Sequence, residues 1–190
     1  MDSNGTGPSV ELRAWDADVR SLLREMEDGF LEKYGFPAHG NFVAGPTDSP
    51  QMASLADLPK GRAREQLAEL YQVTSGVSLN NFRNGLFLHP LSHVANMHKS
   101  GELVRVSGNY DAEVIAFGSD GGGVLFAIDV SGSPVYRLPN AMIADGVYSS
   151  MDDDFMIIAS DVQGFLGEVR KDLEIFARSG DIRPDSRLWG

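Results

Sequence analysis

The sequence contains no cysteine, which excludes disulfide bonds, thiolate zinc sites and cysteine nucleophiles. It also has no hydrophobic run near the ~20 residues that a membrane-spanning helix needs. Basic residues are scarce, with 16 lysines and arginines against 27 acidic residues and a net charge of -11. Because this charge repels phosphate groups, nucleic acid and anionic membranes are unfavourable partners, and a basic protein is a better one.

What is present is the composition of an ordinary globular protein of 190 residues, 42% hydrophobic and 23% charged, which fits one domain. Helical spacing of apolar residues predicts a first helix over 10–34 and a last one over 162–176. Between them, residues 86–159 contain several short runs typical of strands. This order predicts a single α+β domain with helices packed on one face of a sheet.

Composition divides the chain into four stretches. Residues 1–9 are small and polar and predict a disordered lead. Residues 10–57 comprise the first helix and a proline-rich insertion, residues 58–180 form the main domain, and residues 181–190 are predicted to be a tail. Since the start of the chain shows no secretory signal, we expect a cytoplasmic location.

The clearest local signal is the run from Val114 to Val130, where two apolar stretches flank the sequence SDGGG. Glycine tolerates positive φ, so we expect Gly118, Gly121 and Gly123 to permit a hairpin turn. A phosphate-binding loop leads from a strand into a helix, whereas a strand follows here. The residue order also misses the G-x-S-x-G nucleophile elbow. The run therefore predicts a β-hairpin and no catalytic loop.

The negative charge is concentrated in the strand region, where residues 111–161 hold nine acids and one base, Arg137. Aspartates in turns commonly serve solubility, which is one interpretation. The other is a docking surface for an electropositive protein, with rapid, salt-sensitive association. A divalent-metal cluster is disfavoured, because consecutive acids point in different directions and the EF-hand pattern is incomplete. The expected partner contacts are Glu113, Asp145, Asp152, Asp153 and Asp154.

His89 and His93 are four residues apart, a spacing that on a helix would place both on one face, as in a metal site. Pro90 disfavours helical geometry at His89, and no carboxylate stands in the H-E-x-x-H relation to them. A metal-dependent hydrolase using these histidines is therefore a lesser alternative to imidazoles that are partly buried or solvated. No carboxylate pair stands out for acid–base catalysis, so we expect no enzyme, cofactor or metal.

The hairpin run from Phe117 to Asp129, followed by Pro134-Val135-Tyr136, resembles the SUKH superfamily. The shared pattern is an aspartate with glycines that opens a strand of alternating aromatic and aliphatic residues, then a Pro-Val-Tyr strand. Further likenesses at Leu58-Pro59 and at the start of the last helix extend the resemblance over about residues 58–178. The motif positions are Gly118, Asp120, Gly121, Gly123, Asp129 and Phe165.

The superfamily includes fungal cell-wall-assembly regulators and bacterial immunity proteins of contact-dependent and polymorphic toxin systems. The resemblance implies a twisted, mainly antiparallel sheet of about five or six strands with helices on one side. It also implies an immunity protein that binds a cognate toxin, commonly a nuclease or another basic effector, and blocks its active site. An intracellular regulatory scaffold, as in the fungal branch, is the alternative.

Overall fold

The computed structural model describes residues 8–149 and 155–189, and within them the chain forms five α-helices and ten β-strands. The helices are α1 (Val10–Tyr34), α2 (Ser49–Met52), α3 (Arg62–Tyr71), α4 (Leu91–Ser100) and α5 (Val162–Ser179), with a 3-10 helix at Ala53–Asp57. The strands are β1 (Phe42–Val43), β2 (Val77–Leu79), β3 (Leu86–Leu88), β4 (Arg105–Ser107), β5 (Ala112–Asp120), β6 (Leu125–Asp129), β7 (Val135–Leu138), β8 (Ile143–Ala144), β9 (Val147–Ser149) and β10 (Met156–Ala159). None of the helices in the described ranges is long and apolar enough to cross a membrane.

Helix α1 has its predicted bounds and packs an apolar stripe on α5. The Ser9 hydroxyl oxygen accepts the Leu12 N–H at 3.2 Å, and Gly35 ends the helix at φ 79°. The indole N–H of Trp15 donates to the Leu166 carbonyl oxygen at 2.8 Å. Because the buried face of α1 joins the main hydrophobic core, the helix is part of the same packing unit as the sheet.

The hairpin of β5 and β6 lies at the centre of the sheet. The main path pairs antiparallel strands in the order β1-β2-β3-β5-β6-β7-β10. A smaller layer, β4-β9-β8, joins the N-terminal part of β5 through β4, and β4 and β9 run parallel. The α+β architecture is confirmed, but ten strands are present among the described residues. The additional ones are two or three residues long, too short for alternation to reveal.

Both faces of the central hairpin are buried, because successive side chains of a strand point to opposite sides. Ile115 and Phe117 face the core that the helices complete, where the ring of Phe165 lies 5.3 Å from that of Phe117 between centroids. Val114 and Ala116 face a second core under β4 and β9. Phe165 is 0% exposed, so this motif residue belongs to the hydrophobic core.

The hairpin is confirmed, but its three glycines serve different purposes. Gly123 has φ 90°, the left-handed conformation expected of a turn glycine. A Cβ on Gly121 would lie 2.0 Å from the Asn84 carbonyl oxygen, and one on Gly118 would lie 2.7 Å from that of Phe87. Gly118 and Gly121 therefore allow β3 and the turn before it to approach β5.

Residues 181–189, the described part of the predicted tail, pack against the domain. The Arg183 guanidinium donates to the carboxylates of Asp172 and Glu168, and Leu188 is 1% exposed. Burial alone would lower the pKa of Arg183, but the hydrogen bonds and charges of the two carboxylates raise it. Asp172 is 0% exposed, and a buried carboxylate requires such a cation, so this segment completes the structure.

Candidate protein-interaction surface

Glu113 and Asp145, two of the expected partner contacts, are exposed and belong to one part of the fold. Glu113 is in register with Arg105 of β4, which is in register with Val147 of β9. Asp145 stands two residues before Val147, in the turn between β8 and β9. The structure thus places Asp145 in the β4-β9-β8 layer and Glu113 on β5, the strand next to it. The other expected contacts, Asp152, Asp153 and Asp154, lie outside the described residues.

The remaining described acids of residues 111–161 have partners. Asp111 accepts two hydrogen bonds from Arg105, at 2.7 and 2.6 Å, and this pairing lowers the pKa of Asp111. Three further carboxylates accept backbone N–H groups in turns or at the start of α5: Asp120, Asp129 and Asp161. Within the described ranges neither Glu113 nor Asp145 forms an ion pair, which leaves both charges free for another molecule.

Arg137, the one base in residues 111–161, is directed at the C-terminal segment. Its guanidinium donates to the carbonyl oxygens of Leu188 and Trp189, at 3.1 and 3.3 Å. Among the residues that the structure describes it forms no ion pair. It therefore holds Leu188 and Trp189 in place and neutralises none of the described carboxylates.

The motif residues Asp120 and Asp129 maintain turns. Asp120 is 8% exposed, and its Oδ1 accepts two N–H groups of the β5–β6 turn at 2.8 and 2.9 Å. Asp129 accepts the Ser131 N–H at 2.8 Å. Burial, and then the charge and hydrogen bond of Asp129, raise the pKa of Tyr136 to about 12. These acids support the local fold, as the solubility-and-turn interpretation of the aspartates requires.

An aromatic cluster that the sequence did not reveal lies beneath the β4-β9-β8 layer. The ring of Phe155 is 5.3 Å from Tyr110, 5.1 Å from Tyr136 and 5.8 Å from Tyr148, measured between centroids. The four residues come from separate segments of the chain, so no spacing in the sequence predicts their contact. The cluster gives the layer a firm apolar base.

His89 and His93 do come together, with ring centroids 4.8 Å apart. Burial, and then the charge of His93, lower the pKa of His89 to about 4. Its backbone is fixed as well, because its N–H donates to the Phe117 carbonyl oxygen and its own carbonyl oxygen accepts the Tyr71 hydroxyl. In the described part of the chain no group of three residues suited to a metal forms, here or elsewhere. Two imidazoles alone do not make a metal centre.

An apolar groove of about 480 Å³ lies next to His89 on the open face of the sheet. Its floor follows one cross-strand row, in which Phe42, Ser78, Phe87 and Ser119 are in register on four neighbouring strands. Phe42 is 53% exposed. The side chains that alternate with this row face the helical core, so the groove lies on the opposite face.

Comparison of the sequence with protein-family models and with curated proteins finds no match. The likeness to the SUKH superfamily therefore depends on the residues of the hairpin and its flanks.

Proposed function

We propose that this chain is a non-catalytic protein-binding module that neutralises a cognate toxin of basic charge by binding to it in the cytoplasm. The observation that supports this most is that two exposed carboxylates of residues 111–161 have no ion pair within the described ranges. Within the described ranges, Glu113 and Asp145 are exposed and without ion pairs, while Arg137 is used elsewhere. An acidic surface of this kind can occupy a cleft that a nuclease uses for phosphates.

The fold supports the proposal through rigidity. The β4-β9-β8 layer rests on an aromatic cluster of which Tyr136, Tyr148 and Phe155 are buried, and it is joined to the central hairpin through β4. A preordered surface loses little conformational freedom on association, which favours tight binding.

The test is co-expression with the product of the adjacent reading frame, since an immunity gene is expected beside its toxin gene. We expect the two proteins to co-purify as a stable complex, and expression of this chain to restore growth of cells that produce the partner. Absence of both the complex and the protection would contradict the proposal. Stoichiometric zinc, iron or manganese in protein purified without added metal would instead favour the hydrolase alternative.

A further inference from the structure

Residues 140–145, which lead into β8 and through it to the turn before β9, are an exposed stretch with apolar side chains. Every residue of 140–145 is exposed, with Met142 at 77% and Ile143 at 37%. Tyr110, in the loop before β5, is 40% exposed. Large apolar side chains that are held in solvent are a feature of interaction sites when they are grouped.

Two of these side chains, Ile143 and Tyr110, are connected through the aromatic cluster, and Met142 directly precedes Ile143 in the sequence. Ile143 is directly opposite Tyr148 in the register of β8 and β9, and Tyr148 contacts Phe155. Tyr110 contacts the same Phe155 from the other side, with ring centroids 5.3 Å apart. Because Tyr148 and Phe155 are at most 5% exposed, the exposed groups stand on a fixed base.

The turn of the hairpin is fixed by hydrogen bonds, while no other described strand pairs with the outer edge of β8. The Gly146 carbonyl oxygen accepts the N–H groups of Val104 and Arg105, at 2.9 and 3.2 Å. Strand β8 pairs with β9 on one side. Apart from that pairing, no backbone hydrogen bond connects residues 140–145 to the rest of the described chain. An edge strand of this kind can accept a strand from another protein.

Charge indicates which partner strand fits. Asp145 follows β8 directly, and Glu113 lies on β5, in register with Arg105 of β4, so one carboxylate adjoins β8 and another lies on the strand next to the layer. Neither forms an ion pair within the described ranges. A partner strand with apolar residues on one face and lysine or arginine on the other would match both features.

We propose that Met142, Ile143 and Tyr110 form the apolar centre of the docking surface, and that a basic strand of the partner adds to the edge of β8. This rests on the proposed function and specifies its contact site. A second acidic copy of this chain is a poorer occupant, because its carboxylates would repel those of the layer.

The probe is an end-blocked eight-residue peptide of alternating valine and lysine, titrated into isotopically labelled full-length protein and followed by amide NMR shifts. We expect saturable shifts at residues 141–147 and at Tyr110, and none with a peptide of alternating valine and glutamate. Shifts centred on the Phe42 and Phe87 groove, or no shifts, would overturn the proposal. Co-purification with the adjacent gene product would still test the proposed function separately.

A pair of variants isolates the apolar centre. Met142→Ser should weaken binding of the valine–lysine peptide about tenfold, as truncation of a central contact does. Val10→Ser is the matched control, since Val10 is 78% exposed but lies at the start of α1, and it should leave binding unchanged. Equal effects of the two variants would overturn the proposal. A fall in the unfolding midpoint of Met142→Ser would also overturn the proposal, since it would show that the chain itself covers Met142.

Discussion

Two hairpins of this protein turn at an Asp-Gly pair, and they use it in opposite ways. In the β5–β6 turn, Asp120 is buried and its carboxylate accepts the N–H groups of Gly122 and Val124. In the β8–β9 turn, Asp145 is exposed at φ 52°. The same pair of residue types therefore stabilises a turn in one hairpin and presents a charge to solvent in the other. Burial of the aspartate decides which of these two roles it has. Variants of the first hairpin should therefore affect stability, and variants of the second should affect binding.

The largest effect should come from Gly121→Ala. Its Cβ would meet the Asn84 carbonyl oxygen at 2.0 Å, so β5 or the turn before β3 must move. Overpacking of this kind costs about 3 kcal/mol in the free energy of unfolding. Denaturant unfolding measures the loss.

Gly167→Ala is the control for that variant. Gly167 is inside α5, and a Cβ added there would have no atom within 4 Å, so alanine should stabilise the protein by about 0.5–1 kcal/mol through helix propensity. If Gly121→Ala left the free energy of unfolding unchanged, the first hairpin would not be tightly constrained. That result would contradict the contrast between the two hairpins.

His89 lies beside the first hairpin, since its backbone N–H donates to the Phe117 carbonyl oxygen of β5. We expect the titration of His89 to make the free energy of unfolding depend on pH. The pKa of His89 is about 4 in the fold and 6.5 ordinarily, so the unfolded chain binds the proton more readily. Stability should therefore fall as pH decreases from about 6.5 to about 4. A difference of this size corresponds to roughly 3 kcal/mol, which partial exposure of the ring reduces to about 2 kcal/mol.

The check is denaturant unfolding across that pH range, with His89→Gln as the comparison. The variant should show a shallower decline of stability between pH 6.5 and 4. Parallel curves for the two proteins would mean that His89 does not carry the dependence.

A smaller effect should separate the two turn aspartates directly. Asp120→Asn replaces two charge-assisted hydrogen bonds by weaker ones and should cost about 1 kcal/mol. Asp145→Asn should change stability by less than about 0.5 kcal/mol, because asparagine also tolerates positive φ and the side chain is exposed. Thermal unfolding of both variants measures the difference. Equal losses of stability would contradict the contrast between Asp120 and Asp145.

The parts of the fold that the sequence predicted have strong local patterns. Helix α1 shows its apolar period over 25 residues and a capping serine, and the central hairpin shows two β-rich runs around SDGGG. Strands β8 and β9 span two and three residues, which is shorter than any periodic signal. Strand β9 is fixed by pairing with β4, a contact distant in sequence, and β8 is fixed by pairing with β9.

Of the properties of the candidate surface, the sequence predicted only its negative charge. The composition of residues 111–161 indicated an acidic region, but it did not distinguish Asp120, which closes a turn, from Asp145, which faces solvent. The aromatic base was not predictable, because Tyr110 and Phe155 meet only in the folded chain. Likewise, the segment after α5 looked like a tail because its docking depends on Asp172, a buried carboxylate inside a helix.

The most direct test of the account is the salt dependence of binding to the adjacent gene product, measured for the native chain and for Glu113→Lys/Asp145→Asn, in which asparagine keeps the positive φ of position 145. The account predicts that the double variant folds normally, binds at least about tenfold more weakly at low salt and shows a flatter decline of affinity with ionic strength. A complex whose affinity and salt slope are the same for both proteins would contradict it.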